Sequence, residues 1–262
     1  MTATTTTAQR PSATDRTVTA RVLAVEVLDE LRGIIREPTA WVFSVAMPVG
    51  FFILFLSMFG DEPLAGRQAG TSMLATLGTF GVLAVTLMNP GIGVAEDRER
   101  GWLRAKRVSA VPLPVTLAAK VAAAVPYALG VLAAMTVAAA AMGALDAPLG
   151  TVARVAAVLV VGALPFALLS LAIGFRVGAN AAAAILNAFL LPAAVASGLW
   201  MPLESLPDVL SRIAVYLPTY HLSQLAFAQL NGGGWIDHAL VLVAFAALAA
   251  VAAAVSYRSS RP

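Results

Sequence analysis

The 262 residues are 60% hydrophobic and 12% charged, with a net charge of +3 and no cysteine. A water-exposed surface takes about twice that share of charge, so a soluble globular domain is excluded, as are disulfide and thiol chemistry. The slight positive excess does not suggest a nucleic-acid partner; it follows from where the Lys and Arg sit along the chain.

The first nineteen residues are Thr-rich and lack the apolar core of a cleavable signal peptide, so none is expected, and residues 1–16 are expected to form a disordered tail. Over residues 17–37, Val18, Val22, Val25, Leu28, Leu31 and Ile35 recur at three- and four-residue steps. Arg21, Glu26, Asp29, Arg32 and Arg36 take the other faces. That periodicity predicts an amphipathic helix, too charged to span and suited to lie flat at a membrane surface. Pro38 ends it.

Six apolar runs follow, at residues 39–59, 72–94, 121–143, 155–175, 181–201 and 236–257. Crossing a hydrocarbon core of about 30 Å takes about 20 helical residues, so each is long enough to span with some tilt. Abundant Ala and Gly suit close helix–helix approach in lipid. Pro48, Pro126, Pro165 and Pro192 fall inside these runs, where neighbouring helices and local adjustments satisfy the freed carbonyls. The expectation is an all-α membrane protein, with a six-span domain over residues 38–257 and a short tail at 258–262.

Orientation follows from the basic residues. With the N-terminus inside, only Arg67, Arg154 and Arg212 of the 17 Lys and Arg fall outside. The exterior connections keep Asp61, Glu62, Asp146, Glu204, Asp208 and Asp237. Both termini are therefore expected in the cytoplasm.

One cytoplasmic connection holds more than a positive-inside loop requires. Residues 96–109 combine Glu96, Asp97 and Glu99 with Arg98, Arg100, Arg104, Lys106 and Arg107, around Gly101, Trp102 and Leu103. Basic residues alone would satisfy the orientation rule. A short helix with both charge signs and an apolar ridge suits docking into a groove on a soluble partner. The connection between the last two spans is the second informative segment. It is long and largely apolar, running through Ser197, Gly198, Trp200, Pro202, Leu206 and Pro207 to Pro218 and His221. It predicts two short helices, broken at Pro207 and Pro218, that dip back into the membrane where protein can bury their backbone.

Together these segments resemble the type-2 ABC transporter permease family. Glu99, Arg100, Gly101 and Leu103 fall in the places of its charged Glu-x-Glu-x-Gly-x-Leu pattern, although Trp102 stands where the family usually has a small or hydroxyl residue. Ser197, Gly198, Pro202, Leu206 and Pro207 are similar to its Ser-Gly, Pro and Leu-Pro pattern ahead of the last span. The resemblance covers nearly the whole chain. It implies an exporter subunit without ATP chemistry of its own, and no Gly-x-x-x-x-Gly-Lys-[Ser/Thr] loop occurs here. ATP and Mg would be bound by a pair of separate cytoplasmic ABC ATPase subunits. Glu96, Glu99, Arg100, Gly101, Trp102, Leu103 and Arg104 would form the coupling helix that meets them. Two permease chains, identical or paralogous, would pair with substrate passing between them. Ser197, Gly198, Pro202, Leu206, Pro207 and Pro218 would form a re-entrant exterior gate.

Two other classes are weighed against this. A secondary transporter needs ionisable groups deep in its spans, and none of the six runs carries one near mid-membrane. Asn187 is the most polar residue at depth, with an interhelical hydrogen bond or a place on the substrate pathway as its two readings. An intramembrane hydrolase would have to recruit Ser197 with His221 and Asp237, without a Gly-x-Ser-x-Gly elbow. Two histidines and scattered carboxylates do not make a metal site. The apolar spans favour a hydrophobic or amphipathic cargo, a drug or a lipid.

Overall fold

The computed structural model describes residues 21, 24–29, 32, 45–60, 63–101 and 113–259. Within these, eight helices run in order: α1 (Met47–Phe59), α2 (Ala69–Glu99), α3 (Leu113–Ala141), α4 (Leu149–Gly174), α5 (Ala179–Ala196), α6 (Asp208–Ala214), α7 (Pro218–Asn231) and α8 (Ile236–Ser259). A 3₁₀ turn, Leu203–Ser205, precedes α6. Five of the helices, α2, α3, α4, α5 and α8, are long and apolar enough to cross a membrane. The protein is an all-α, multi-pass membrane protein.

Of the expected first span, the described part is α1, preceded by Val45 and Ala46. Pro48 lies in its first turn, where the proline displaces no helical donor. Of the amphipathic helix, residues 24–29 are helical, with Val25 and Leu28 about half exposed. The 1–16 tail, residues 102–112 and residues 260–262 lie outside the described residues.

The long helices alternate in direction, so the bundle has two ends. One carries Glu99, the start of α3, the α4–α5 turn and Ser259; the other carries Ala69, Ala141, Leu149, Ala196 and α6–α7. They are called here the motif end and the cavity end. α2 is the axis. It packs against α1, α3, α4, α5 and α7, and 89% of its most apolar stretch is buried, against 17% for α8. Its small residues explain how so many neighbours fit. A Cβ on Gly91 would lie 2.6 Å from the Ser170 carbonyl oxygen of α4, and one on Gly174 of α4 would collide with the Gly91 carbonyl. In lipid, where apolar faces gain nothing by leaving a hydrocarbon solvent, such close backbone approach is what holds helices together. Thr79 and Thr86 return their hydroxyls to the carbonyls of Ala75 and Val82, so α2 buries them without orphaned donors.

Several boundaries differ from the hydropathy reading. α2 continues past residue 94 to Glu99, and α3 starts eight residues before 121. The α2 extension carries Glu96, Asp97, Arg98 and Glu99, which a search for apolar runs does not register, and the α3 extension runs through Pro114 up to Lys120. α5 stops at Ala196 rather than 201, because Gly198 takes a left-handed turn (φ 69°) that lets Leu199 donate back to Ala194.

Candidate functional site

At the motif end, four consecutive charged residues complete α2, and each has a different partner. Glu96 and Arg100 form a 3.4 Å pair along the helix, with Arg100 the more exposed. Asp97 meets Lys120 of α3 at 2.9 Å, with side chains 17% and 5% exposed. Arg98 donates to the carbonyls of Phe175 and Val177 (2.7 Å for the latter) in the α4–α5 turn. Glu99 accepts the Ala179 backbone N–H at 3.1 Å. That N–H belongs to the first residue of α5, where free amide donors and the helix dipole favour a carboxylate. Gly178 leaves room for this contact, since a Cβ there would push Glu99 Oε1 aside. Gly101, at φ 71°, then turns the chain off the helix. On the far side of the same turn, Arg176 donates to Ser256 of α8 at 3.2 Å.

The α2 terminus therefore clamps α3, α4 and α5 together. Of the expected coupling residues, Glu96, Glu99, Arg100 and Gly101 sit at this terminus; Trp102, Leu103 and Arg104 lie outside the described residues. Asp97 and Arg98, read from the sequence as part of a segment that docks on a soluble partner, and Lys120, read as a positive-inside residue, make the clamp. Acidic residues in a connection that needs only basic ones were the available signal.

At the cavity end, the segment after α5 folds as the Leu203–Ser205 turn, then α6 and α7, with breaks at Pro207 and Pro218. α7 packs against α4, α8 and α2, and its Leu222 fills the space left by Gly162 of α4. Ser197 is buried and its hydroxyl pairs with that of Thr219, 2.5 Å away. This contact joins the Ser-Gly and Pro218 parts of the expected gate. Leu206 is half-buried, Pro207 caps α6, and Pro218 opens α7.

The two histidines meet here. His221 Nε2 lies 2.9 Å from the Val215 carbonyl, which can only accept, so Nε2 carries the proton. Its Nδ1 lies 2.8 Å from His238 Nδ1, one ring donating and the other accepting, which joins α7 to α8. Both His221 nitrogens are thus engaged, and Ser197 is bonded to Thr219, so no Ser–His nucleophile pair forms. Among the described residues no group of three or more metal-ligating side chains occurs.

Between α1, α2, α7 and the 197–205 segment lies a cavity of about 900 Å³. Ser197, Gly198 and Pro202 of the expected gate line it. Trp200 is fixed in its wall by stacking on Phe51 (5.7 Å) and meeting Phe80 edge-on (5.3 Å). Asn187 is elsewhere, on the outer face of α5, where its amide donates to its own helix at Ala183 (2.9 Å). At the same end Arg67 is tied down by Asn231 Oδ1 (2.8 Å), the Leu230 carbonyl and Asp146 (3.7 Å). Partial burial would raise the Asp146 carboxyl, but hydrogen bonds from Thr71 and the Gln68 amide, with the Arg67 charge, hold it below its usual range.

A family model described as "ABC-2 type transporter" matches residues 24–230. A Bacillus subtilis (strain 168) protein named "Putative transport permease YvfS" is 26% identical over 227 residues, spanning 86% of this chain and 92% of that one. With the family model matching over most of its length, the chain belongs to the ABC-2 type transporter family.

Proposed function

We propose that the chain is the membrane-spanning permease subunit of an ATP-driven exporter in a bacterial plasma membrane. It has six spans, α1 completing the set, and its termini and motif end are in the cytoplasm. A pair of separate ABC ATPase subunits, carrying ATP and Mg, docks on the segment that leaves Gly101. A second permease chain, identical or paralogous, completes the pathway for a hydrophobic or amphipathic cargo, a drug or a lipid. α5 is exposed at Ile185, Asn187 and Leu191, which leaves it available for that pairing.

The clamp at the end of α2 is the observation that carries this reading. A force applied just beyond Gly101 reaches α3 through Asp97–Lys120 and the α4–α5 turn through Arg98 and Glu99. Rigid-body coupling needs such a junction, because packed elements move as units rather than bend. It also divides the labour within the motif. Glu99 is spent inside the chain, which leaves Arg100, Trp102, Leu103 and Arg104 for the ATPase.

The test separates docking from transmission. Leu103→Glu should remove copurification of the coexpressed ATPase at an unchanged membrane level. Glu99→Gln should keep copurification and lower ATP-dependent export. Unchanged copurification and export in Leu103→Glu would overturn the proposal.

A further inference from the structure

The cavity has a lopsided charge inventory. Phe55, Phe59, Trp200 and Phe227 give it an aromatic wall, and Ser223, Gln224 and Asn231 supply neutral hydrogen-bonding groups. Among the described lining residues Glu204, exposed at the mouth, is the one that carries a formal charge at neutral pH, and no Lys or Arg is present. The Arg67 guanidinium, bonded to the lining residue Asn231, is also held by the Leu230 carbonyl and Asp146. His238 also lines the space, with its Nδ1 engaged by His221 Nδ1.

An amphiphile that buries its body here must leave its charged group somewhere. An anionic headgroup would lie against a carboxylate with no cation to answer it. A cation would meet Glu204 and the negative faces of the aromatic rings. We propose that this cavity is a binding site for monocationic amphiphiles, with the apolar body among the aromatic wall and the charge at Glu204, and that it rejects anionic amphiphiles of the same size. That the ligand is cargo rests on the export reading; that it binds does not.

Tetraphenylphosphonium and tetraphenylborate present nearly the same phenyl shell with opposite charge. Their equilibrium binding to the purified full chain in a non-ionic detergent tests the site directly. Tetraphenylphosphonium should bind about tenfold more tightly than tetraphenylborate. Glu204→Gln should weaken tetraphenylphosphonium about fivefold, the effect of one partly screened charge. It should leave neutral triphenylphosphine oxide unchanged, and Glu204→Lys should reverse the order of the two ions. Phe227→Ala should weaken all three ligands, placing them in this cavity. Equal affinity for the two ions, or less than a twofold change in Glu204→Gln, would overturn the inference. Export is read separately, with the permease–ATPase complex in vesicles. Binding without ATP-driven movement of any amphiphile would remove the export reading and leave the site. Export of a neutral amphiphile without tetraphenylphosphonium binding would do the reverse.

Discussion

The Asp97–Lys120 pair offers the sharpest quantitative test of the motif-end clamp. Its ions are 2.9 Å apart with side chains 17% and 5% exposed, so removing either one takes from the other its closest countercharge where water barely reaches. Breaking a buried pair in this way costs about 3–5 kcal/mol, and the partial exposure of Asp97 places it near about 3 kcal/mol. Removing both charges while keeping volume, as in Asp97→Asn with Lys120→Met, strands nothing and should cost about 1 kcal/mol. At about 2–4 °C per kcal/mol for a chain of this size, each single variant should melt about 6–12 °C lower, and the double variant should recover more than half of that loss. The four tryptophans give a fluorescence signal for thermal unfolding in detergent. The double-mutant cycle then isolates the pair from the close approach of the Lys120 ammonium to Gly93. Losses that simply add in the double variant would refute the pair as a structural tie, as would single variants within about 2 °C of the parent.

Gly174→Ala should lower the folded yield strongly, an overpacking loss of about 3 kcal/mol, because its Cβ would meet the Gly91 backbone rather than a movable side chain; size-exclusion profiles check this. The Asp146 carboxyl, held below its usual range, contributes stability that is complete above that range and is lost as pH falls through its lowered value. Melting curves of the parent and Asp146→Asn should therefore converge only at strongly acidic pH and stay apart, parent higher, at neutral pH. The chain has no cysteine, so single cysteines report topology cleanly. In whole cells a membrane-impermeant thiol reagent should label position 205 and spare positions 5, 109 and 259; labelling at 109 would invert the proposed orientation.

Much of the fold was legible in the sequence, because a 20-residue apolar run in lipid has few alternatives to a helix. The α5–α8 connection was legible for a related reason. Pro207 and Pro218 mark the starts of α6 and α7, as prolines at a first helical turn do, although Val209, Ile213 and Val215 between them stay exposed on the chain. The helix ends were not legible, since Glu96–Glu99 look like loop to any hydropathy scale. Nor were the partners of the charges. Lys120 read as one more positive-inside residue, and Glu99 read as a contact for another chain. Their actual partners, Asp97 of α2 and the Ala179 amide, are fixed by how α2, α3 and α5 dock, and no local pattern encodes that. The meeting of His221 and His238 across two helices is hidden for the same reason.

The burial of α2 has a consequence for how the protein is made. The helix that lipid touches least is also the one that carries three buried threonines, a serine, five glycines and an internal proline. Alone in the bilayer it would hold those groups against hydrocarbon, whereas α8, exposed along most of its length, is almost uniformly Ala, Leu and Val. α8 can enter the membrane on its own hydrophobicity. α2 is made second and finished last: it reaches its final environment only when α3, α4, α5 and α7 have been synthesised and have closed around it. A ribosome-bound chain truncated before α7 should accordingly leave α2 the easiest span to extract, and the folding of the whole bundle waits on its most C-terminal third.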